Sequence, residues 1–128
     1  MTLDRQTITA PGAPDAIGPY SHAVRAGSLL FCSGQIPLDP VTGELVGGSA
    51  AEQARQCLAN LTAVCEAAGG ALADAVRLTV YMTDLTRFAE VNAVYESFFS
   101  EEPPARVTVG VAQLPKGSDV EIDAIVAL

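Results

Sequence analysis

The chain has 128 residues, 49% of them hydrophobic and 17% charged. That composition excludes a disordered chain, and the length gives a single domain over residues 1–128, because two separate cores would leave about 64 residues each. Fifteen acidic residues against seven Lys and Arg leave a net charge of −8, a field that repels phosphate backbones and disfavours a nucleic-acid partner.

At the start, Met1-Thr2-Leu3-Asp4 lacks a basic-then-apolar signal pattern. No apolar run approaches the roughly 18 residues of a membrane span, so the expectation is a cytoplasmic protein with no membrane partner. A short strand is expected near Gln6–Thr9, followed by the irregular Pro11-Gly12-Ala13-Pro14. Tyr20–Ala26 and Leu29–Ile36 read as strands joined by a tight turn at Ala26-Gly27-Ser28. A loop rich in Pro and Gly follows, and then Ser49-Ala50-Ala51-Glu52, a capping box in which hydroxyl and carboxylate satisfy each other's backbone donors. Beyond it Ala54, Cys57, Leu58, Leu61, Val64, Cys65 and Ala68 recur at three and four, the stripe of an amphipathic helix closed by Gly69-Gly70. The next strand alternates cleanly, with Val76, Leu78, Val80 and Met82 inward and Arg77, Thr79, Tyr81 and Thr83 outward. A second helix spans about Arg87–Phe99, with Phe88, Val91, Tyr95 and Phe98 on one stripe. Two last strands, near Ala105–Gln113 and Asp119–Val126, flank Leu114-Pro115-Lys116-Gly117-Ser118.

Strands, helix, strand, helix and two strands make a two-layer α+β domain, a mixed sheet with both helices on one face. Alternation assigns Val107, Val109 and Val111, with Val120, Ile122 and Ala124, to the helix side. Arg106, Thr108, Glu121 and Asp123 are then expected on the face that no helix covers, meeting water or another copy of the chain. If the last two strands form a hairpin turning near Lys116, Arg106 and Glu121 lie roughly 16 Å apart along the strands.

Cys32, Cys57 and Cys65 form no CxxC pair, and their number is odd. Cys57 and Cys65 stand roughly 12 Å apart along a helix, too far for a disulfide, so all three read as small buried hydrophobes. The single histidine, His22, follows Ser21, and strand neighbours point to opposite faces, so the two form no nucleophile–base pair. With one His and no clustered ligands, no metal site is expected.

Arg106 follows the stiff Pro103-Pro104-Ala105 and offers a planar fork of donors suited to a carboxylate; the plainer alternative is an ion pair with Asp123. Glu121 is a charge inside a strand, able to orient or deprotonate a water for attack on a carbon–nitrogen double bond, or else it belongs to a solvated face. Asn92 lies on the apolar stripe of the second helix, where a buried amide must be hydrogen-bonded, and a structural role suits it better than a catalytic one. Gly18-Pro19-Tyr20 and Ser33-Gly34-Gln35 permit close backbone approach by a ligand, with Tyr20 either an apolar wall or a core residue. No glycine-rich phosphate loop or dinucleotide fingerprint is present.

In this order, Ala16-Ile17-Gly18-Pro19-Tyr20-Ser21, Phe31-Cys32-Ser33-Gly34-Gln35-Ile36-Pro37, Asp39-Pro40-Val41-Thr42-Gly43-Glu44, Gln53-Ala54-Arg55-Gln56-Cys57-Leu58-Ala59-Asn60, Phe88-Ala89-Glu90-Val91-Asn92, Pro104-Ala105-Arg106, Leu114-Pro115-Lys116 and Val120-Glu121-Ile122 resemble the RidA/YjgF family of reactive intermediate deaminases over nearly the whole chain. The resemblance implies a chorismate-mutase-like α+β fold, a homotrimer with clefts between subunits, and hydrolysis of 2-iminobutanoate and 2-iminopropanoate to 2-oxo acids and ammonia with no cofactor or metal. Carried over by position, Arg106 holds the substrate carboxylate and Glu121 places the attacking water. Tyr20, Ser33 and Gly34 line the cleft, Thr108 offers backbone contacts, and Asn92 supports the site. Two departures stand out. Thr108 replaces the cysteine of many members, which puts cysteine-based redox roles in doubt, and the Ser100–Pro103 loop is a few residues shorter than in some. The competing readings are a non-catalytic binder of small carboxylates such as 2-oxobutanoate, a holdase-type chaperone should the trimer open, and a ribonuclease or translation inhibitor, which the −8 charge opposes. Glu121 favours the enzyme, since a carboxylate binder has no use for a second acid there.

Overall fold

A computed structural model describes residues 4–128. In chain order it contains β1 (Arg5–Ile8), β2 (Ala23–Ala26), β3 (Leu29–Gln35), α1 (Ala50–Ala67), β4 (Ala75–Met82), α2 (Phe88–Phe98), β5 (Ala105–Gly110) and β6 (Val120–Ala127). The strands form one six-stranded sheet in the order β1-β2-β3-β6-β4-β5. Only β4 and β5 run parallel; every other pairing is antiparallel. Both helices lie on one face, the two-layer α+β arrangement that the order of elements implies. Among the described residues no helix is long and apolar enough to cross a membrane.

Local chemistry sets the element ends. The β2–β3 hairpin turns through Gly27 at φ 61°, a left-handed conformation that glycine adopts without steric cost. Ser49 caps α1 by accepting from the Glu52 N–H at 3.2 Å. The reciprocal half of the expected capping box is missing, since the Glu52 carboxylate lies against Gly48 instead.

The core fills the space between the helices and the sheet: Cys57, Leu58, Leu61, Val64 and Cys65 of α1 and Val91 and Val94 of α2 meet Leu30, Leu78, Val80, Met82, Val120, Ile122 and Val126. All three cysteines are buried and free, as expected of small apolar fillers. Val76, expected inward, is instead exposed, because β4 slips register against β6 between Ala75 and Arg77. The other face has no helix over it, and Phe31, Val107 and Val109 remain 45%, 42% and 37% exposed there.

Two sequence expectations fail at β5. It does not form a hairpin with β6; it pairs with β4 at the sheet edge, and β6 is inserted between β3 and β4. Its faces are also reversed. Arg106 and Thr108 are in register with the buried Leu78 and Val80, so they point to the helix side, while Val107 and Val109 share the open face with Thr79 and Tyr81. Alternation distinguishes two faces of a strand without saying which is inner. On an edge strand, where even the valines stay exposed, burial gives no second clue.

Candidate active site

Glu121 lies on the open face of β6, where the adjoining strand β3 is irregular. Cys32 pairs with Ala124 but Gln35 pairs with Ile122, so Ser33 and Gly34 fall in a bulge beside Glu121. The Glu121 carboxylate packs directly on Gly34, where a Cβ would overlap it, so a larger residue there would push the carboxylate out of this position. The Ser33 hydroxyl donates to the Ser21 carbonyl at 2.7 Å and its N–H to the His22 carbonyl at 3.0 Å, fixing the bulge to the residues before β2.

These residues border a cleft of about 390 Å³ with Ile17, Tyr20 and Lys116. Two buried polar groups and one tyrosine hydroxyl hold its walls. His22 accepts from the Ala10 N–H at Nδ1, which leaves the ring proton on Nε2 to donate to the Pro14 carbonyl, each at 2.8 Å. Asn60, 1% exposed on α1, donates through Nδ2 to the Leu38 carbonyl at 3.0 Å and the Ile36 carbonyl at 3.4 Å, and its Oδ1 accepts from Gln56 at 2.9 Å. Tyr20, half in solvent, accepts at its hydroxyl from the Ile17 N–H at 3.2 Å and so is a cleft wall, not a core tyrosine.

Half-burial in this cleft pushes the Glu121 carboxyl above the usual glutamate range, and the neighbouring Asp123 adds to the shift. A carboxylate with raised basicity in an apolar-walled cleft suits proton transfer to and from a bound water. Asp123 is occupied elsewhere, accepting from the Tyr81 hydroxyl at 2.9 Å. The alternative ion pair between Asp123 and Arg106 does not form within the chain, since the two residues occupy opposite faces of the sheet.

Arg106 is therefore outside this cleft. It lies over the α2 side of β5, where Nη1 donates to Asn92 Oδ1 at 2.7 Å. Its Cζ stands 5.2 Å from the Phe88 ring centroid and 4.8 Å from that of Tyr95. Asn92 is half-buried at the rim, not a core amide; it links α2 to β5, and its Nδ2 donates to Glu96 at 3.4 Å. Thr108, on the same side of β5, is half-buried, and its hydroxyl has no hydrogen-bond partner among the described residues. Tyr20, Ser33, Gly34 and Glu121 thus gather in one place, and Arg106, Asn92 and Thr108 in another. The register puts Arg106 level with Leu78 and Glu121 level with Tyr81. The two functional candidates are about 10 Å apart along the strands, two strands apart across the sheet, and on opposite faces.

Sequence reasoning missed Lys116, at φ 57° in the loop before β6, as a lining residue, and Asn60 and His22 as wall supports. Asn60 had a readable signal, a polar amide four residues after Gln56 in the most apolar stretch of α1; nothing in the sequence marks Lys116 beyond a Pro-Lys-Gly turn.

Residues 10–128 match the family model described as endoribonuclease L-PSP. The chain is 51% identical over 123 residues to the RutC family protein y4sK of Sinorhizobium fredii, covering 96% of this chain and 98% of that one. It is 50% identical over 123 residues to the 2-iminobutanoate/2-iminopropanoate deaminase of Escherichia coli K12, covering 94% and 95%. The solved structure of E. coli TdcF with bound serine superposes with a TM-score of 0.90 at 44% identity, covering 96% of this chain and 98% of that one.

Proposed function

Because the chain belongs to the endoribonuclease L-PSP family, the family of YjgF and RidA, we propose that it hydrolyses reactive 2-imino acids such as 2-iminobutanoate and 2-iminopropanoate to 2-oxo acids and ammonia. The observation that carries this reading is Glu121, a carboxylate of raised basicity held against Gly34 in an apolar-walled cleft large enough for a small acid. The relative with bound serine supports a small amino or imino acid as the occupant of such a site. The −8 charge argues against the ribonuclease reading that the family's description suggests, since it opposes the approach of a polyphosphate.

In this mechanism Glu121 takes a proton from water as the oxygen attacks the imine carbon. On the protonated imine this gives a neutral aminoalcohol; Glu121 passes the proton to its nitrogen, the C–N bond breaks as the hydroxyl proton returns to Glu121, and ammonia leaves a 2-oxo acid. The walls from Ile17 and Tyr20 cover the substrate's short side chain, and Arg106 holds its carboxylate in a bidentate pair. Thr108 adds contacts beside it, Asn92 supports Arg106, and no redox step or cofactor is called for.

Since Arg106 and Glu121 of one chain lie on opposite sheet faces, the reading requires a second copy. We infer a homotrimer in which Arg106 of one subunit completes the cleft of the next, the exposed Phe31, Val107 and Val109 being covered on assembly. A cytoplasmic location fits this role, close to the enzymes that release such imines.

The direct test couples a threonine dehydratase to this protein and follows imine lifetime. Wild type is expected to shorten it. Arg106→Ala is expected to lose about 100-fold or more, the worth of two charge-assisted hydrogen bonds at roughly 1.5–3 kcal/mol each. Near-wild-type turnover in Arg106→Lys would overturn the bidentate anchor, because an ammonium cannot reproduce the fork.

A further inference from the structure

We propose that Phe88 and Tyr95 are positioning residues that, with Asn92, clamp the Arg106 guanidinium in its carboxylate-binding pose before any substrate arrives. The proposal rests on the anchoring role given to Arg106 above and assigns the means by which that role is achieved.

Phe88, Asn92 and Tyr95 follow one another at four and three residues along α2, so they form a single stripe facing β5. Cζ of Arg106 lies within cation–π reach of both rings, at 5.2 and 4.8 Å. The rings restrain the planar group against tilting, and the 2.7 Å bond from Nη1 to Asn92 restrains its rotation in the plane. Only one of the five N–H donors of a guanidinium is consumed, and a fork remains for a ligand.

The chemistry of the clamp points to a ligand. Among the described residues Arg106 has no carboxylate partner, although the chain carries fifteen acids. Among the described residues only Arg87 pairs with an acid, so the chain's other arginines share that lack; what sets Arg106 apart is that two rings and an amide hold it, which leaves its charge available to an incoming anion with nothing to displace. A free arginine on an exposed edge strand would sample many rotamers and lose that freedom on binding. Holding it in advance converts that loss into affinity.

Tyr95 also shows which part of the side chain matters. It is 5% exposed and its hydroxyl has no hydrogen-bond partner among the described residues, so the ring is what the fold uses. Leucine keeps an apolar side chain at either position, at a cost in volume where Tyr95 also packs on the Phe99 ring at 4.8 Å, but it cannot serve a cation clamp.

The experiment measures binding of 2-oxobutanoate, the stable product, by calorimetry. Phe88→Leu and Tyr95→Leu are each expected to weaken binding about tenfold, while Tyr95→Phe restores wild-type affinity. In an Arg106→Ala background the same leucine substitutions are expected to cause no further loss, which a merely structural role would not produce. Phe88 is half-buried, so its variant keeps the test open should Tyr95→Leu fail to fold. Wild-type affinity in folded leucine variants, or an equal loss with and without Arg106, overturns the clamp while leaving the anchor standing. Unchanged binding in Arg106→Ala overturns the anchor and the clamp together.

Discussion

Glu121 occupies a position where function and stability pull in opposite directions. Burial and the nearby Asp123 disfavour its charged form, so its proton is held to a higher pH than on an exposed glutamate. Activity that depends on the carboxylate should fall as pH drops through this raised value, placing the acid limb of the kcat/KM profile above the range of an ordinary glutamate. The sign for stability is the reverse of the usual salt-bridged acid. The penalty of a buried charge is present above the raised value and disappears as pH falls through it. Glu121→Gln is therefore expected to reduce imine hydrolysis by about 100- to 10,000-fold, the usual worth of a general base, while raising the thermal midpoint at neutral pH. A variant that is inactive and also less stable at neutral pH would show that the carboxylate is held by favourable contacts, contrary to this account.

Between elements, the cleft depends on tethers from α1. The wall segment after β3 carries the carbonyls of Ile36 and Leu38 toward the buried Asn60 amide, which is the donor to Leu38 and a second, longer donor to Ile36. Asn60→Leu preserves volume but leaves the Leu38 carbonyl without a donor in a buried setting, while the Ile36 carbonyl keeps the Leu38 N–H at 2.8 Å. The expected cost is about 1–3 kcal/mol in urea unfolding, with reduced affinity for 2-oxobutanoate as the wall loosens. Loss of stability with unchanged affinity would mean that the wall keeps its position without this tether. Gln53 makes a similar link at the other end of α1, accepting from the Asp119 N–H at 2.8 Å and so fixing the start of the strand that carries Glu121.

At the scale of the whole molecule, the separation of Arg106 from Glu121 means that the proposed site needs an assembly. Mixing Arg106→Ala and Glu121→Ala proteins under subunit exchange gives a direct measure. A productive interface needs the intact arginine from one variant and the intact glutamate from the other, so an equal mixture should recover about a quarter of wild-type activity. Confirmed exchange with no recovery would exclude a shared site and place catalysis within one chain.

Much of this was legible in the residues themselves. The helix stripes, the cap at Ser49 and the alternation of β4 and β6 follow from short-range rules, and they place Glu121 correctly on the uncovered face. Tyr20, Ser33 and Gly34 join it because the β2–β3 hairpin is local and the bulge at Ser33-Gly34 opens toward the neighbouring strand. The sequence could not decide which strand β5 joins. Its nearest strand in the chain is β6, and only long-range hydrogen bonding to β4 puts it at the edge with Arg106 on the helix side. A two-residue period identifies two faces and leaves their orientation to whatever packs on them. The aromatic clamp was hidden for the same reason: Phe88 and Tyr95 read as core until docking of α2 against β5 brings a cation between them.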